Sequence, residues 1–402
     1  MRILLALSYS PYPVSRGTDR LIMNLIKGLS ERHEVDLVTM VLERGGGEVL
    51  KEIEGGNVSV HSILAPNRRS AAHRAYYKMS NLLLSVLGGV PVQVMYAAPD
   101  AFLELIINTA KKREADLVLA SYWHLYELPR LLTGTKLALI THDIDYLIHS
   151  QRLSLVSGSI PRFLKGIDAR RRARIEREAY RRYETIITLT RKDEETLRNE
   201  SGMSGKRILT LPLAMDLDVF DRSETDREND RIVLMGSFDA DFNRDALIHF
   251  IVDVLPLVVE RRPHARLDVI GAGIDKRLKD MAGPNVTFTG YVEDINSHLG
   301  RCALMVLPLR YGGGVRIRML EAAAMGTPVV STPTGIAGMN LVDGRDYIEA
   351  STPVDMADNV LRLMSDRSLA GEIGRNARIW AERNVSMGDY PDRLDVMLSS
   401  LE

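Results

Sequence analysis

Cysteine is almost absent from this chain: Cys302 is the single one in 402 residues. A disulfide framework is therefore impossible, and a reducing, cytoplasmic setting is expected. No run of about 18 apolar residues occurs, so nothing reads as a membrane span. The first apolar run, residues 1–8, is short and passes into Pro11, Pro13 and Gly17 without a cleavage site. It reads as a first strand rather than a leader. Internal repeats and low-complexity segments are missing. So is net charge, which is -1, and with no recognition motif present, nucleic acid is not an expected partner.

What is present points to two α/β domains. The length exceeds one ordinary domain, and 45% hydrophobic with 26% charged residues is a globular composition. The charge is uneven: residues 1–213 carry 31 basic and 23 acidic side chains, residues 214–402 carry 21 and 30. A basic first half suits an acidic acceptor or an anionic membrane surface, or is uneven surface charge with no partner. Short apolar runs alternate with helical patterns, which implies parallel sheets with crossover helices. Strands are expected at 3–7, 34–39, 58–63, 116–120, 137–141, 185–190 and 207–211. In the second half they are expected at 232–235, 266–270, 286–289, 303–307, 328–331 and 346–349. The break falls near 211–220, giving domains 1–213 and 214–387. The tail from 353 reads as helical, with a last helix at 391–401.

The most informative segment is 306–332, VLPLRYGGGVRIRMLEAAAMGTPVVST. It reads as a buried strand, a loop of Gly312, Gly313 and Gly314, a helix carrying Glu321, and a second buried strand. A glycine loop opening onto a helix N-terminus is an anion site, because backbone N–H groups and the helix dipole face it. Arg316 and Arg318 oppose that dipole, a cost that a bound phosphate would offset. On the loop alone an ordinary βαβ turn is the better reading, since such loops are a weak signal. The whole string, Leu-Glu-Ala followed by Gly-Thr-Pro-Val-Val, resembles the donor-site signature of retaining GT-B glycosyltransferases of family 4. The Gly-Gly-Gly-x-Arg-x-Arg-x-Leu-Glu-Ala form is similar to a glycine-rich subgroup of that family.

That resemblance implies two facing Rossmann-like doubly wound domains with an interdomain cleft, and a C-terminal helix, about 388–402, that crosses back. It implies that Glu321 holds the ribose of a nucleotide-sugar. The partner Glu of the family motif would fall at Gly313 and is missing. After the first strand of the second half comes Gly236-Ser237, then Asn243-Arg244. The Arg and Lys that the family uses there for the diphosphate are replaced, so Arg316 and Arg318, with Arg244, are expected to meet that charge. Asn243 also reads as a helix N-cap. Gly290, Tyr291 and Val292 correspond to the turn that contacts the nucleobase, and Gly313–Val315 to the amides at the phosphate.

In the first half, the resemblance gives His142 the role of contacting and aligning the donor sugar. Arg16 and Gly17, with Trp123, His124 and Asp143, fall on the acceptor side. Asp143-x-Asp145, Asp216-x-Asp218 and Asp239-x-Asp241 match a metal-binding dipeptide, but three chance-level matches make it weak, and no metal is required. Gly271-Ala272-Gly273 lacks the third glycine of a dinucleotide fingerprint. Residues 68–87 read either as a basic amphipathic helix on an anionic membrane or as a helix packed by its leucines. Residues 170–183, with Ile175, Ala179 and Tyr183 every four residues, read as a solvated helix face. The expected activity is metal-independent, retaining transfer of a sugar from a UDP- or GDP-sugar to a glycan or lipid-linked acceptor. A sugar-nucleotide 2-epimerase and a non-catalytic nucleotide-sugar-binding subunit are the rival readings.

Overall fold

The computed structural model describes residues 1–14, 17–43, 45–68, 78, 79, 81, 89–154, 159–220 and 227–401. The chain divides into two compact units: Met1–Pro212 with Gly388–Glu402, and Leu213–Met387.

The first unit is a seven-stranded parallel sheet. Its strands are β1 (Arg2–Leu7), β2 (Glu34–Val41), β3 (Val58–Leu64), β4 (Leu117–Ser121), β5 (Lys136–Thr141), β6 (Thr185–Thr188) and β7 (Arg207–Thr210), in the order 3-2-1-4-5-6-7. Ile3 to Leu7 are fully buried, as a central strand covered on both faces requires. The order reverses between β1 and β4, and the carboxyl ends of the strands at such a reversal form a ligand crevice. The last helix, Tyr390–Ser399, lies on the Gly17–Ser30 helix. A Cβ at Gly28 would come within 2.6 Å of the Tyr390 ring, so only glycine allows this approach. Arg32 pairs with Asp392 and with Asp395 (2.6 Å), and His33 also meets Asp395.

The second unit repeats the plan with six parallel strands. They are β8 (Glu228–Met235), β9 (Arg266–Ile270), β10 (Val286–Gly290), β11 (Cys302–Leu307), β12 (Val329–Ser331) and β13 (Ile348–Glu349), ordered 10-9-8-11-12-13. The reversal lies between β8 and β11. All thirteen expected strands are present. The largest offset is at β8, which the polar residues 228–231 extend.

The arginine-rich helix runs from Ser159 to Arg182. It is not solvated all round: Ile175, Glu176, Ala179, Tyr180 and Tyr183 are buried while Arg170 and Arg174 are exposed. The four-residue repeat was a packing stripe, and the arginines occupy the other face. The basic stretch at 68–87 falls almost wholly outside the described residues. Among the described residues no helix is long and apolar enough to cross a membrane.

Candidate functional site

In the second unit the loops after β8, β9, β10 and β11 meet at the carboxyl edge. Gly271 has φ +137°, and a Cβ there would collide with the Gly236 carbonyl oxygen. Its N–H donates to the Gly290 carbonyl (2.7 Å), and the Gly236 N–H donates to the Ile270 carbonyl (2.9 Å). Glycine is thus required where three strand ends converge.

The Gly312–Gly314 loop leads into the Ile317–Ala324 helix, whose N-cap is Arg316 and which no side chain caps. The Arg316 side chain folds back over Gly312, where a Cβ would strike its guanidinium. That guanidinium is 6% exposed and lies over the Phe242 ring, 5.2 Å from its centroid. Arg318 turns the other way, against Gly236. It donates to the Met235 carbonyl and, at 2.6 Å, to Asn243 Oδ1. Burial pulls the Arg318 guanidinium down to about 9, the Arg316 charge pushes the same way, and Glu321 opposes them. Glu321 itself is 7% exposed. Two neighbouring cations stand at this place with Glu321 beside them, and an arriving anion would be met by both guanidinium groups.

The structure therefore brings together Gly236, Ser237, Asn243, Gly312, Gly313, Gly314, Val315, Arg316, Arg318 and Glu321. Asn243 is not the cap of its helix. The Asp241–His249 helix has Ala240 at its N-cap, and Asn243 sits in the first turn with its amide on the Ser237 carbonyl (2.8 Å). Its oxygen is used to hold Arg318. Arg244 points elsewhere and pairs with Asp275, the residue that caps the Lys276–Asp280 helix. Gly290 has φ +73°, Tyr291 is 59% exposed and Val292 is half-buried.

In the first unit the corresponding edge holds an aromatic and histidine cluster after β4 and β5. His142 is 2% exposed, and its Nε2 lies 2.9 Å from Ser121 Oγ. The Tyr122 ring stacks on it at 4.2 Å and tilts toward Tyr9 and His124. Tyr122 has φ +75°, a strained backbone for a residue with a Cβ. Burial pulls both His142 and His124 down to about 4, so both are neutral at pH 7. His142 Nδ1 and both ring nitrogens of His124 are buried without a hydrogen-bond partner among the described residues. Trp123 is buried, and its indole N–H donates to Asp145 Oδ2 (2.7 Å). The Asp143 carbonyl accepts from Thr141 Oγ1 (2.6 Å). Gly17 opens its helix, and Arg16 lies outside the described residues.

Sequence reasoning missed Ser121, Tyr122, Glu176 and Tyr180. The last two had a signal: they are four apart and lie one position beyond Ile175 and Ala179, on the face that packs. Among the described residues no cluster of three His, Cys, Asp or Glu is placed to hold a metal ion.

With this geometry established, comparison with known proteins gives a consistent class. A model described as "Glycosyl transferase 4-like domain" matches residues 16–214, and one described as "Glycosyl transferases group 1" matches residues 229–366. The chain belongs to the GT-B glycosyltransferases. It is 26% identical over 163 residues to a GDP-mannose-dependent monoacylated alpha-(1-6)-phosphatidylinositol monomannoside mannosyltransferase of Corynebacterium glutamicum. That match covers 37% of this chain and 43% of the relative, so under half the relative's length is spanned. It is 24% identical to a D-inositol 3-phosphate glycosyltransferase of Paenarthrobacter aurescens, over 87% of this chain and 84% of that one. Among solved structures, sucrose-phosphate synthase of Thermosynechococcus elongatus superposes with a TM-score of 0.75 at 16% identity, covering 100% of this chain and 99% of that one. Anabaena HepE in complex with UDP-glucose superposes with a TM-score of 0.70 at 16% identity, with 100% of each chain covered.

Proposed function

We propose that this protein moves a sugar from a UDP- or GDP-sugar to an acceptor hydroxyl, with retention of configuration and without a metal ion. The observation that carries this reading is the pair of buried Arg316 and half-buried Arg318 beside Glu321, at a glycine loop opening a helix on the carboxyl edge of a doubly wound sheet. The diphosphate binds there, and Glu321 takes the ribose hydroxyls. As the bond from the anomeric carbon to the phosphate oxygen breaks, charge grows on the leaving phosphate. The two guanidinium groups and the Gly313–Val315 amides stabilise it. The acceptor oxygen bonds to the anomeric carbon, and its proton passes to the departing phosphate. No side-chain carboxylate base is then needed.

His142 is suited to orienting the sugar rather than to acid–base work. A neutral imidazole with a low pKa donates or accepts a hydrogen bond to a hydroxyl without changing protonation near pH 7. Trp123, His124 and Asp143, with Gly17, form the acceptor side. A glycan or lipid-linked acceptor is supported by relatives named for mannosyl transfer to phosphatidylinositol. A cytoplasmic enzyme that meets such acceptors at an anionic membrane fits the basic first half of the chain.

The test is isothermal titration of UDP and of GDP into the protein with EDTA present. Micromolar binding of one nucleotide is expected and identifies the donor base. Absence of binding by both refutes the metal-independent donor site. Nucleotide binding without any sugar transfer favours a non-catalytic binding subunit, and nucleotide release without an acceptor product favours an epimerase.

A further inference from the structure

We propose that Glu176 is a positioning residue for the loop that carries His142, acting through the N-terminus of the next helix. This rests on the role given above to His142. The Asp145–Ser154 helix begins three residues after His142. Its N-cap position falls to Ile144, whose carbonyl accepts from the Leu147 N–H at 3.0 Å. Isoleucine has no side-chain acceptor, so the first N–H groups need a partner from elsewhere.

Glu176 provides it from a different helix. Oε1 accepts from the Asp145 N–H at 2.8 Å and Oε2 from the Tyr146 N–H at 2.7 Å. The helix dipole favours an anion there. Tyr180, one turn further on, donates its hydroxyl to Oε1 at 2.7 Å and lies 3.1 Å from Thr141 Oγ1. Thr141 in turn donates to the Asp143 carbonyl. Residues 145 and 146 are thus held by one carboxylate, Thr141 ties itself to the Asp143 carbonyl, and the Tyr180 phenol lies against both groups beside His142. On the opposite flank, Asp145 Oδ2 takes the Trp123 indole N–H, so the β4 loop is tied to the same assembly.

The arrangement is expensive. Glu176 has no exposed surface, and burial pushes its carboxyl well up, with Asp145 adding to the effect while the three donors oppose it. An apolar side chain would fill this face beside Ile175 and Ala179 without desolvating a charge. Holding the helix on the core therefore does not need a carboxylate. Fixing the backbone of the His142 loop does, because two N–H groups must be met at once.

The experiment uses the full chain with Trp380→Phe, which leaves Trp123 as the sole tryptophan. Glu176→Gln and Tyr180→Phe are made in that background. Release of UDP from UDP-glucose and of GDP from GDP-mannose is measured together with Trp123 emission and its quenching by iodide. Glu176→Gln turns an amide N–H₂ toward one of the two backbone donors. We expect kcat to fall roughly tenfold to hundredfold, the size of a loop misplacement of about 1 Å. The donor KM should stay within about threefold, since the nucleotide is held by the second unit. Trp123 emission should shift, and Tyr180→Phe should give a smaller loss of the same kind.

A folded Glu176→Gln variant with unaltered kcat and emission overturns the proposal. So does one that lowers thermal stability while kcat at a temperature well below unfolding is untouched. Should that variant fail to fold, Tyr180→Phe decides by the same two readouts. Should the unsubstituted chain release neither nucleotide, Trp123 emission and its quenching decide the placement of the loop, and the functional reading is judged separately by the nucleotide titration.

Discussion

Replacing His124 with phenylalanine should stabilise the first unit and at the same time weaken acceptor use. His124 is 7% exposed, its ring lies tilted against Trp123 (4.2 Å between centroids), and it leaves two buried nitrogens without partners among the described residues. A buried polar atom left unsatisfied costs about 1–3 kcal/mol, so an apolar ring of similar shape should gain about 1 kcal/mol at pH 7.5. The larger effect appears with acid. In the folded chain burial holds this ring at about 4, against 6.5 when exposed. The unfolded chain therefore binds the proton more tightly. The stability contributed by keeping the ring neutral is complete above about pH 6.5 and is lost as pH falls from there toward 4. At pH 5 the loss is about 2 kcal/mol, and His142, held equally low, loses about the same. Urea unfolding followed by Trp123 fluorescence in a Trp380→Phe background reports on this unit alone. Between pH 7.5 and pH 5.0, His124→Phe should remove about 2 kcal/mol of the pH dependence. An unchanged slope would refute the claim that this ring is buried and neutral. An unchanged rate with every acceptor tried would refute its place on the acceptor side.

The proposed donor site yields further expectations. Glu321→Ala should weaken UDP or GDP binding by at least roughly 100-fold through two lost charge-assisted hydrogen bonds, read by titration calorimetry. Unchanged affinity would remove Glu321 from the ribose. Arg316→Ala with Arg318→Ala should cost at least roughly 100-fold in nucleoside diphosphate affinity while leaving free nucleoside binding nearly alone. Equal losses for both ligands would show that the arginines support the loop rather than the phosphates. Gly271→Ala should destabilise the second unit by at least about 2 kcal/mol, because φ is +137° and the new Cβ meets the Gly236 carbonyl. A melting temperature equal to that of the unsubstituted protein would refute the reading of a three-strand convergence.

The fold was legible because parallel α/β sheets announce themselves locally. Each buried strand is a short run of Ile, Val and Leu, and each crossover is an amphipathic helix, so neither depends on distant residues to be recognised. The glycine loop and its cations were legible for a similar reason: the glycines, arginines and glutamate lie within ten residues, on one turn and one helix. Asn243 was partly legible. Its place after the first strand of the second unit was read from the sequence, but the bond that commits it to Arg318 depends on a residue 75 positions away. Arg244 was expected beside the diphosphate charges, whereas a carboxylate brought in by the next crossover, Asp275, holds it.

By itself the sequence determined the two doubly wound sheets, the glycine loop and the cations beside it, since periodicity and short-range spacing are properties of the chain. Only the tertiary structure decided the state of His142 and the work of Glu176. The histidine is neutral because residues from β4 and β5 exclude water from it, and no local pattern encodes burial of that kind. The glutamate reads as one charge in a basic helix until the fold sets it against two backbone N–H groups 30 and 31 residues earlier. Long-range packing supplies the low dielectric and the partners, and these turn ordinary side chains into site residues.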